Sequence, residues 1–327
     1  MRVLSADDVR QAVPMLAAID AVEAAFISLS AGQAEAPLRA HISTPDYAAI
    51  SFFMPARLGG TQPALGLKVV SVFPDNPARG EPSIYALVTV LDPSSGRPVA
   101  VLDGTYLTAL RTGAASGVAT RHMARPDARC LVVLGAGAQA FHQAMAVCAV
   151  RSIEQIWLVN RTPARAEQLA ERLRTAGVIA SISVITDPAL ALAQADVVCA
   201  ATSASSPVFA DHDLQPGTHL NGVGSYKPSM AEIPAATVAR ARLVVDQRQA
   251  AWAEAGDLVL AREAGLITER HVVAELGEVA TGQIAGRTSP DQITFFKSVG
   301  NAVQDVAVAA VALARAETLG LGVEVAM

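Results

Sequence analysis

Cysteine is scarce and like-charged blocks are missing. Only three cysteines, Cys130, Cys148 and Cys199, occur in 327 residues, widely spaced and without a Cys-x-x-Cys pair. That argues against a disulfide framework or structural zinc and suits buried thiols in a reducing compartment. The six histidines are scattered, with neither His-x-His nor His-Glu-x-x-His spacing, so no metal site is expected. The net charge of −5 is spread along the chain, leaving no electrostatic footprint for nucleic acid or anionic lipid. Long apolar runs are lacking too. The stretch 302–314 is interrupted by Gln304 and Asp305 and is too short for a bilayer. The start, with Arg2, Asp7 and Asp8, has no apolar signal-peptide core. The expected setting is cytoplasmic, without membrane or nucleic-acid partners. Aromatics make up only 4% of a chain that is 52% hydrophobic, so Ala and Val carry the packing. Such small side chains suit close helix-on-sheet packing of the α/β kind, and the length suits two domains.

What is present falls into two styles. Ser5, followed by Asp7 and Asp8, reads as a helix N-cap with an acidic first turn. Apolar residues then recur at helical spacing through Leu16, Ile19, Val22, Phe26 and Leu29, and Gly32 reads as a stop. Short β-rich runs follow at 48–54, 66–73, 85–91 and 98–102, with a hairpin loop at 92–96, which predicts an antiparallel sheet. An Ala-rich helix is predicted over 105–123. Beyond Pro126-Asp127 strands alternate with helices: strands at 130–134, 156–159, 181–185 and 197–200, helices at 163–176 and 188–194. This alternation predicts a doubly wound parallel sheet, extended by strands at 219–223 and 243–245. A last helix is expected over 301–318.

The first of those strands runs into Gly135-Ala-Gly137-Ala138-Gln139-Ala140, a GxGxxA form of the dinucleotide fingerprint placed between strand and helix. Gly135 suits the tight turn, Gly137 lets the backbone approach a pyrophosphate, and Ala140 permits close helix–strand packing. The N–H groups at the helix start then face the phosphates. At the tip of the next strand, where an NAD site usually carries a carboxylate for the ribose 2′-hydroxyl, stand Asn160-Arg161-Thr162, with Arg165 one turn on. Without the carboxylate a 2′-phosphate is not repelled, and a guanidinium can bind it. NADPH is therefore the expected cofactor, with NADH also possible. The plainer alternative for Arg161 and Arg165 is a solvated helix start.

Arg39-Ala-His41, Gly66-Leu-Lys68-Val-Val, the segment from Asp103 through Arg111-Thr112 to Ser116, the fingerprint, Asn160-Arg-Thr162, Asn221-Gly-Val-Gly-Ser225 and Phe296-Lys-Ser-Val-Gly300 occur in order along nearly the whole chain. Together they resemble the ornithine cyclodeaminase/mu-crystallin family. The resemblance implies a Rossmann-type domain over 123–302 inserted in an α+β substrate-binding and dimerisation domain formed by 1–122 and 303–327, and a homodimer. It implies that Arg39, Lys68 and Arg111 gather around a substrate α-carboxylate, which fits the need of a buried anion for cationic partners. Read from the residues alone, Lys68 could equally sit at a sheet edge, and the arginines could be structural ion-pair members. Thr112, Thr202 and Ser203 are candidates for phosphate, ribose or nicotinamide contacts. Val223, Gly224, Ser225 and Ser298 are candidates for the nicotinamide side. Asp305 could face a substrate amine or be a helix-surface or ion-pair carboxylate.

One departure is informative. Ornithine-cyclising members carry an Asp where this chain has Tyr226, and no carboxylate follows until Glu232. A phenol with an ordinary pKa near 10 is a poor base at neutral pH. The segment from Ser225 to Glu232 instead resembles the family branch that reduces cyclic ketimine carboxylates, such as Δ1-pyrroline-2-carboxylate to L-proline and its six-membered homologue to L-pipecolate. The expected substrate is thus a small cyclic imino acid, with Lys68 or a water as proton donor. The alternatives are an alanine-type amino-acid dehydrogenase, an ornithine cyclodeaminase and a non-enzymatic NADPH or small-molecule binder.

Overall fold

A computed structural model describes residues 1–60 and 62–326. The chain forms two compact units, Met1–Arg111 with Asn301–Met327, and Thr112–Gly300.

The first unit begins with strand β1 (Arg2–Leu4) and helix α1 (Ala6–Ala12). Ser5 caps α1 in a reciprocal capping box with Asp8. The single helix expected as far as Gly32 is in fact two, because Pro14 has no N–H to continue α1; it stands instead at the cap of α2 (Met15–Ser30). Next come β2 (Ala34–Glu35), β3 (Ala40–Thr44), β4 (Ala49–Leu58), β5 (Ala64–Val72), β6 (Ile84–Leu91) and β7 (Pro98–Asp103). The β6–β7 hairpin closes where expected, with Asp92 accepting from Ser94 N at 2.8 Å. Helix α3 (Gly104–Met123) then carries the chain out of this unit.

In the second unit β8 (Cys130–Leu134), α4 (Ala140–Val150), β9 (Gln155–Val159), α5 (Pro163–Thr175), β10 (Ser181–Ile185), α6 (Pro188–Leu192), β11 (Val197–Ala200) and β12 (His219–Gly222) follow the expected alternation. The remainder is α7 (Ala235–Arg240), β13 (Arg242–Val245), α8 (Arg248–Glu254), α9 (Gly256–Glu263), β14 (Val272–Glu275), α10 (Leu276–Ala280) and β15 (Thr294–Lys297). The chain returns to the first unit with α11 (Ala302–Leu319) and β16 (Val323–Glu324).

The first unit's sheet has the order β16-β1-β7-β6-β5-β4-β2, with β3 also on β4. It is antiparallel except for β1 on β7. Helices α2 and α11 pack together, and α11 lies along β4, β5 and β6. Met54, Ala56, Leu58 and Ala64 from the sheet close on Ala25 of α2 and Val303 and Val306 of α11. The second sheet is wholly parallel, in the order β10-β9-β8-β11-β12-β15-β13-β14. Apolar cores cover both faces, as a parallel sheet requires. The chain reverses direction across the sheet between β8 and β11, the switch point at which such sheets open a ligand crevice.

The first boundary falls inside α3, at Arg111/Thr112, rather than at its end near residue 122. Gly113 gives the reason: a Cβ there would stand 2.4 Å from the carbonyl oxygen of His142, so this half of the helix is pressed against α4. Among the described residues no single helix is long and apolar enough to cross a membrane.

Candidate active site

The first cluster forms in the first unit. Strand pleating sends alternate β5 side chains to opposite faces. Gly66 lies against Val306 of α11, a Cβ there meeting Val306 Cγ2 at 3.1 Å, so Lys68, two residues on, faces the same helix. Asn301 caps α11 by accepting from Val303 N at 3.0 Å, which places Gln304 and Asp305 in the first turn. Lys68 Nζ stands 2.7 Å from Asp305 Oδ2, and Arg111 Nε donates to Asp305 Oδ1 at 2.9 Å. Arg111 Nη1 donates to Gln304 Oε1 at 2.7 Å. Lys68, Arg111, Gln304 and Asp305 are all buried. Arg39 stacks on the Phe52 ring at 4.7 Å.

Two cations here share one carboxylate, so the buried cluster carries surplus positive charge. Burial pushes Lys68 down to about 8, with the charge of Arg111 acting the same way; Asp305 works against both, and Arg39 adds a smaller downward effect. Asp305 is therefore an ion-pair carboxylate in this arrangement, and it, rather than Arg39, joins Lys68 to Arg111. Arg39 lies beside the pair and acts on Lys68 through its charge.

The second cluster lies along the carboxyl ends of the parallel strands in the second unit. Gly135 has φ +100°, and a Cβ there would meet Ala201 O at 2.7 Å, so only glycine makes this turn without displacing the backbone. At Gly137 a Cβ would find nothing nearer than 3.9 Å, leaving the exposed backbone approachable. Helix α4 starts after Gln139 with no side-chain cap, while Ala138 is exposed and Ala140 is fully buried. A tight turn, an open glycine and an uncapped helix start fit a dinucleotide pyrophosphate. At the tip of β9, Asn160 Nδ2 donates to Thr162 O at 2.8 Å. Thr162, Arg161 and Arg165 are exposed, and neither arginine joins an ion pair among the described residues.

Several expected cofactor contacts prove to be engaged within the protein. The backbone N–H groups of Thr202, Gly224 and Ser225 all donate to the Glu232 carboxylate, at 2.5, 2.7 and 3.1 Å. Ser225 Oγ donates to Met230 O, and Ser298 Oγ donates to Asp246 Oδ2 at 2.9 Å. Val223 is buried, with its N–H on Ala200 O, and the carbonyl of Thr112 accepts from Gln143 Nε2. Of this group Ser203 is the exposed one. Glu232 continues into a buried network: its N–H donates to Asp257 Oδ1 at 2.7 Å, and Asp257 Oδ2 stands 3.1 Å from Lys297 Nζ. Asp246 Oδ2 also accepts from Val299 N and Gly300 N, bracing the segment before α11.

Sequence reading missed Glu232, Asp257, Lys297 and Asp246 as members of one framework. The available signal was charge at the end of an apolar strand, in Leu243-Val-Val-Asp246 and Phe295-Phe-Lys297. Tyr226 is half-buried beside Lys227, whose Nζ lies 5.8 Å from the ring. Among the described residues no cluster of His, Cys, Asp and Glu could hold a metal ion.

The model of the ornithine cyclodeaminase/mu-crystallin family matches residues 1–318. The chain belongs to that family. Within the family it is 40% identical over 323 residues to Δ1-pyrroline-2-carboxylate reductase of Bacillus cereus, covering 98% of each chain. The Thermococcus litoralis Δ1-pyrroline-2-carboxylate reductase, solved in complex with NADH and L-proline, superposes with a TM-score of 0.95 at 37% identity, over 99% of this chain and 100% of that one. An archaeal alanine dehydrogenase dimer with bound NAD gives a TM-score of 0.92 at 32% identity, over 100% and 99%.

Proposed function

We propose that this chain reduces a cyclic ketimine carboxylate, Δ1-pyrroline-2-carboxylate to L-proline and its six-membered homologue to L-pipecolate. The buried Lys68–Asp305–Arg111 cluster carries this reading, because its surplus positive charge suits an α-carboxylate. Relatives named for the five-membered substrate narrow the class.

The bond to be reduced is C=N, which takes hydride at carbon and a proton at nitrogen. When bound, the reduced nicotinamide supplies the hydride. Arg111 and Lys68 hold the substrate carboxylate through donors not committed to Asp305 and Gln304, with Arg39 adding charge at the edge. Such orientation contributes several kcal/mol, on the order of that for other well-positioned reactants. Lys68 gives its proton to the imine nitrogen; an amine titrating near 8 is charged at neutral pH yet parts readily with the proton. Asp305 keeps Lys68 charged and aimed. Tyr226 stands where cyclodeaminases carry a carboxylate, and Glu232 is committed to three backbone N–H groups.

In the second unit Gly135, Gly137, Ala138 and Gln139 take the pyrophosphate, and Asn160, Arg161, Thr162 and Arg165 the adenosine ribose. Thr112, Thr202, Ser203, Val223, Gly224, Ser225 and Ser298 shape the nicotinamide side through backbone and packing. NADPH is preferred on the strength of the exposed arginines, with NADH accepted, in keeping with the NADH in the Thermococcus complex. The working form is a homodimer, as in the alanine dehydrogenase relative. A second reading, reductive amination of a 2-oxo acid, is favoured by that same relative and would use the same clamp.

Arg111→Ala tests the clamp. The expected loss in kcat/KM for the cyclic imine is on the order of a hundredfold or more, because a charge-assisted contact is lost and Asp305 is left half-paired. A change of twofold or less would place the carboxylate elsewhere.

A further inference from the structure

We propose that the buried Glu232–Asp257–Lys297 triad holds one net negative charge beneath the nicotinamide half of the crevice, favouring the oxidised, cationic ring over the reduced, neutral one. The proposal rests on the reading that the second unit binds a nicotinamide dinucleotide.

The position follows from topology. Such a nucleotide straddles the switch point between β8 and β11. Its adenosine ribose is read at the tip of β9, on one side of that point, so the nicotinamide half falls on the β11 and β12 side. Glu232 stands at those strand ends, accepting from Thr202 after β11 and from Gly224 and Ser225 after β12. The packing is tight: a Cβ on Gly224 would lie 2.2 Å from Thr202 O and 2.5 Å from Glu232 Oε1.

The charge follows from the donor pattern. All three of these partners at the Glu232 oxygens are N–H donors, which an ionised carboxylate satisfies. Asp257 likewise accepts from Glu232 N and Ile233 N and meets Lys297 at 3.1 Å. Lys297 also donates to Gly222 O at 3.3 Å. Burial raises the Glu232 pKa, Lys297 opposes it, and Asp257 adds to it. One lysine thus faces two carboxylates, all three nearly inaccessible to water, so counter-ions screen the surplus weakly. A nicotinamide ring gains one positive charge when it gives up hydride. A fixed negative charge in the same poorly screened region favours that state, on the order of tenfold in relative affinity.

The test is direct binding of NADP+ and NADPH to the full chain, by calorimetry for both and by nucleotide fluorescence for the reduced form. Wild type is compared with Glu232→Gln, Asp257→Asn and Lys297→Met, with circular dichroism reporting the fold. Glu232→Gln and Asp257→Asn should each raise the ratio Kd(NADP+)/Kd(NADPH) by roughly three- to tenfold, and Lys297→Met should lower it. If the glutamine variant does not fold, the asparagine variant answers the same question. An unchanged ratio, or equal weakening of both forms, would overturn the proposal and leave Glu232 as a loop brace only. Wild-type protein binding neither form would instead sink the functional reading on which it rests.

Discussion

Lys68 and Asp305 illustrate how far single residues explain the site. Lys68 sits on an apolar strand, where sequence alone leaves an edge position equally open. Its partner, Asp305, comes from a helix more than two hundred residues later, so no local pattern could reveal the pairing. Burial then does the chemical work, bringing the ammonium down to about 8 while Asp305 resists. The sign of the pH dependence follows. The charged form is the proton donor, so kcat/KM for the imine should fall as pH rises through about 8. Asp305→Asn removes the group that holds the proton, so the alkaline limb should move to lower pH by about one to two units. A pH–rate profile checks this; an unmoved limb would assign the proton to another donor, such as a water.

At the scale of elements, legibility followed periodicity and punctuation. The strands Cys130–Leu134, Ser181–Ile185 and Val197–Ala200 stand where the apolar runs predict them, because each is short and bounded by turn or helix signals. β14 and β15 escaped notice, since four-residue strands ending in Glu275 and Lys297 carry too little pattern. The break at Pro14 follows from proline's missing N–H, although the apolar spacing runs on across it. The fingerprint turn was fully legible, because Gly135 has the positive φ and crowded Cβ position that the motif requires. The β9 tip carries a prediction of its own. Arg161→Asp should shift the preference between NADPH and NADH at least tenfold towards NADH, as a carboxylate accepts from a ribose hydroxyl and repels a phosphate. Initial-rate kinetics with both cofactors measure it, and an unchanged ratio would return Arg161 to the solvated surface.

Over the whole molecule, the change from antiparallel to alternating pattern gave both sheets, while the partition inside α3 depended on the close approach of Gly113 to α4, which sequence does not register. The first sheet also has a face that α11 does not cover. Phe53, Val69 and Leu87 lie in cross-strand register on it, and Leu87 and Tyr85 are 43% and 50% exposed. Apolar side chains gathered on one sheet face mark an association surface, and a second copy of this chain is the proposed occupant. Sedimentation should give a dimer for the wild type, and Leu87→Glu should weaken it at least tenfold. A monomeric wild type would contradict the proposed homodimer.

The substrate class is decided by NADPH oxidation with Δ1-pyrroline-2-carboxylate, set beside pyruvate plus ammonia, and by NAD reduction with L-ornithine. The cyclic imine should turn over with a kcat/KM at least a hundredfold above either alternative, because the clamp and Lys68 serve a preformed C=N bond. Faster turnover of pyruvate with ammonia, or of ornithine, would contradict it and require another group near Tyr226 to carry the proton chemistry.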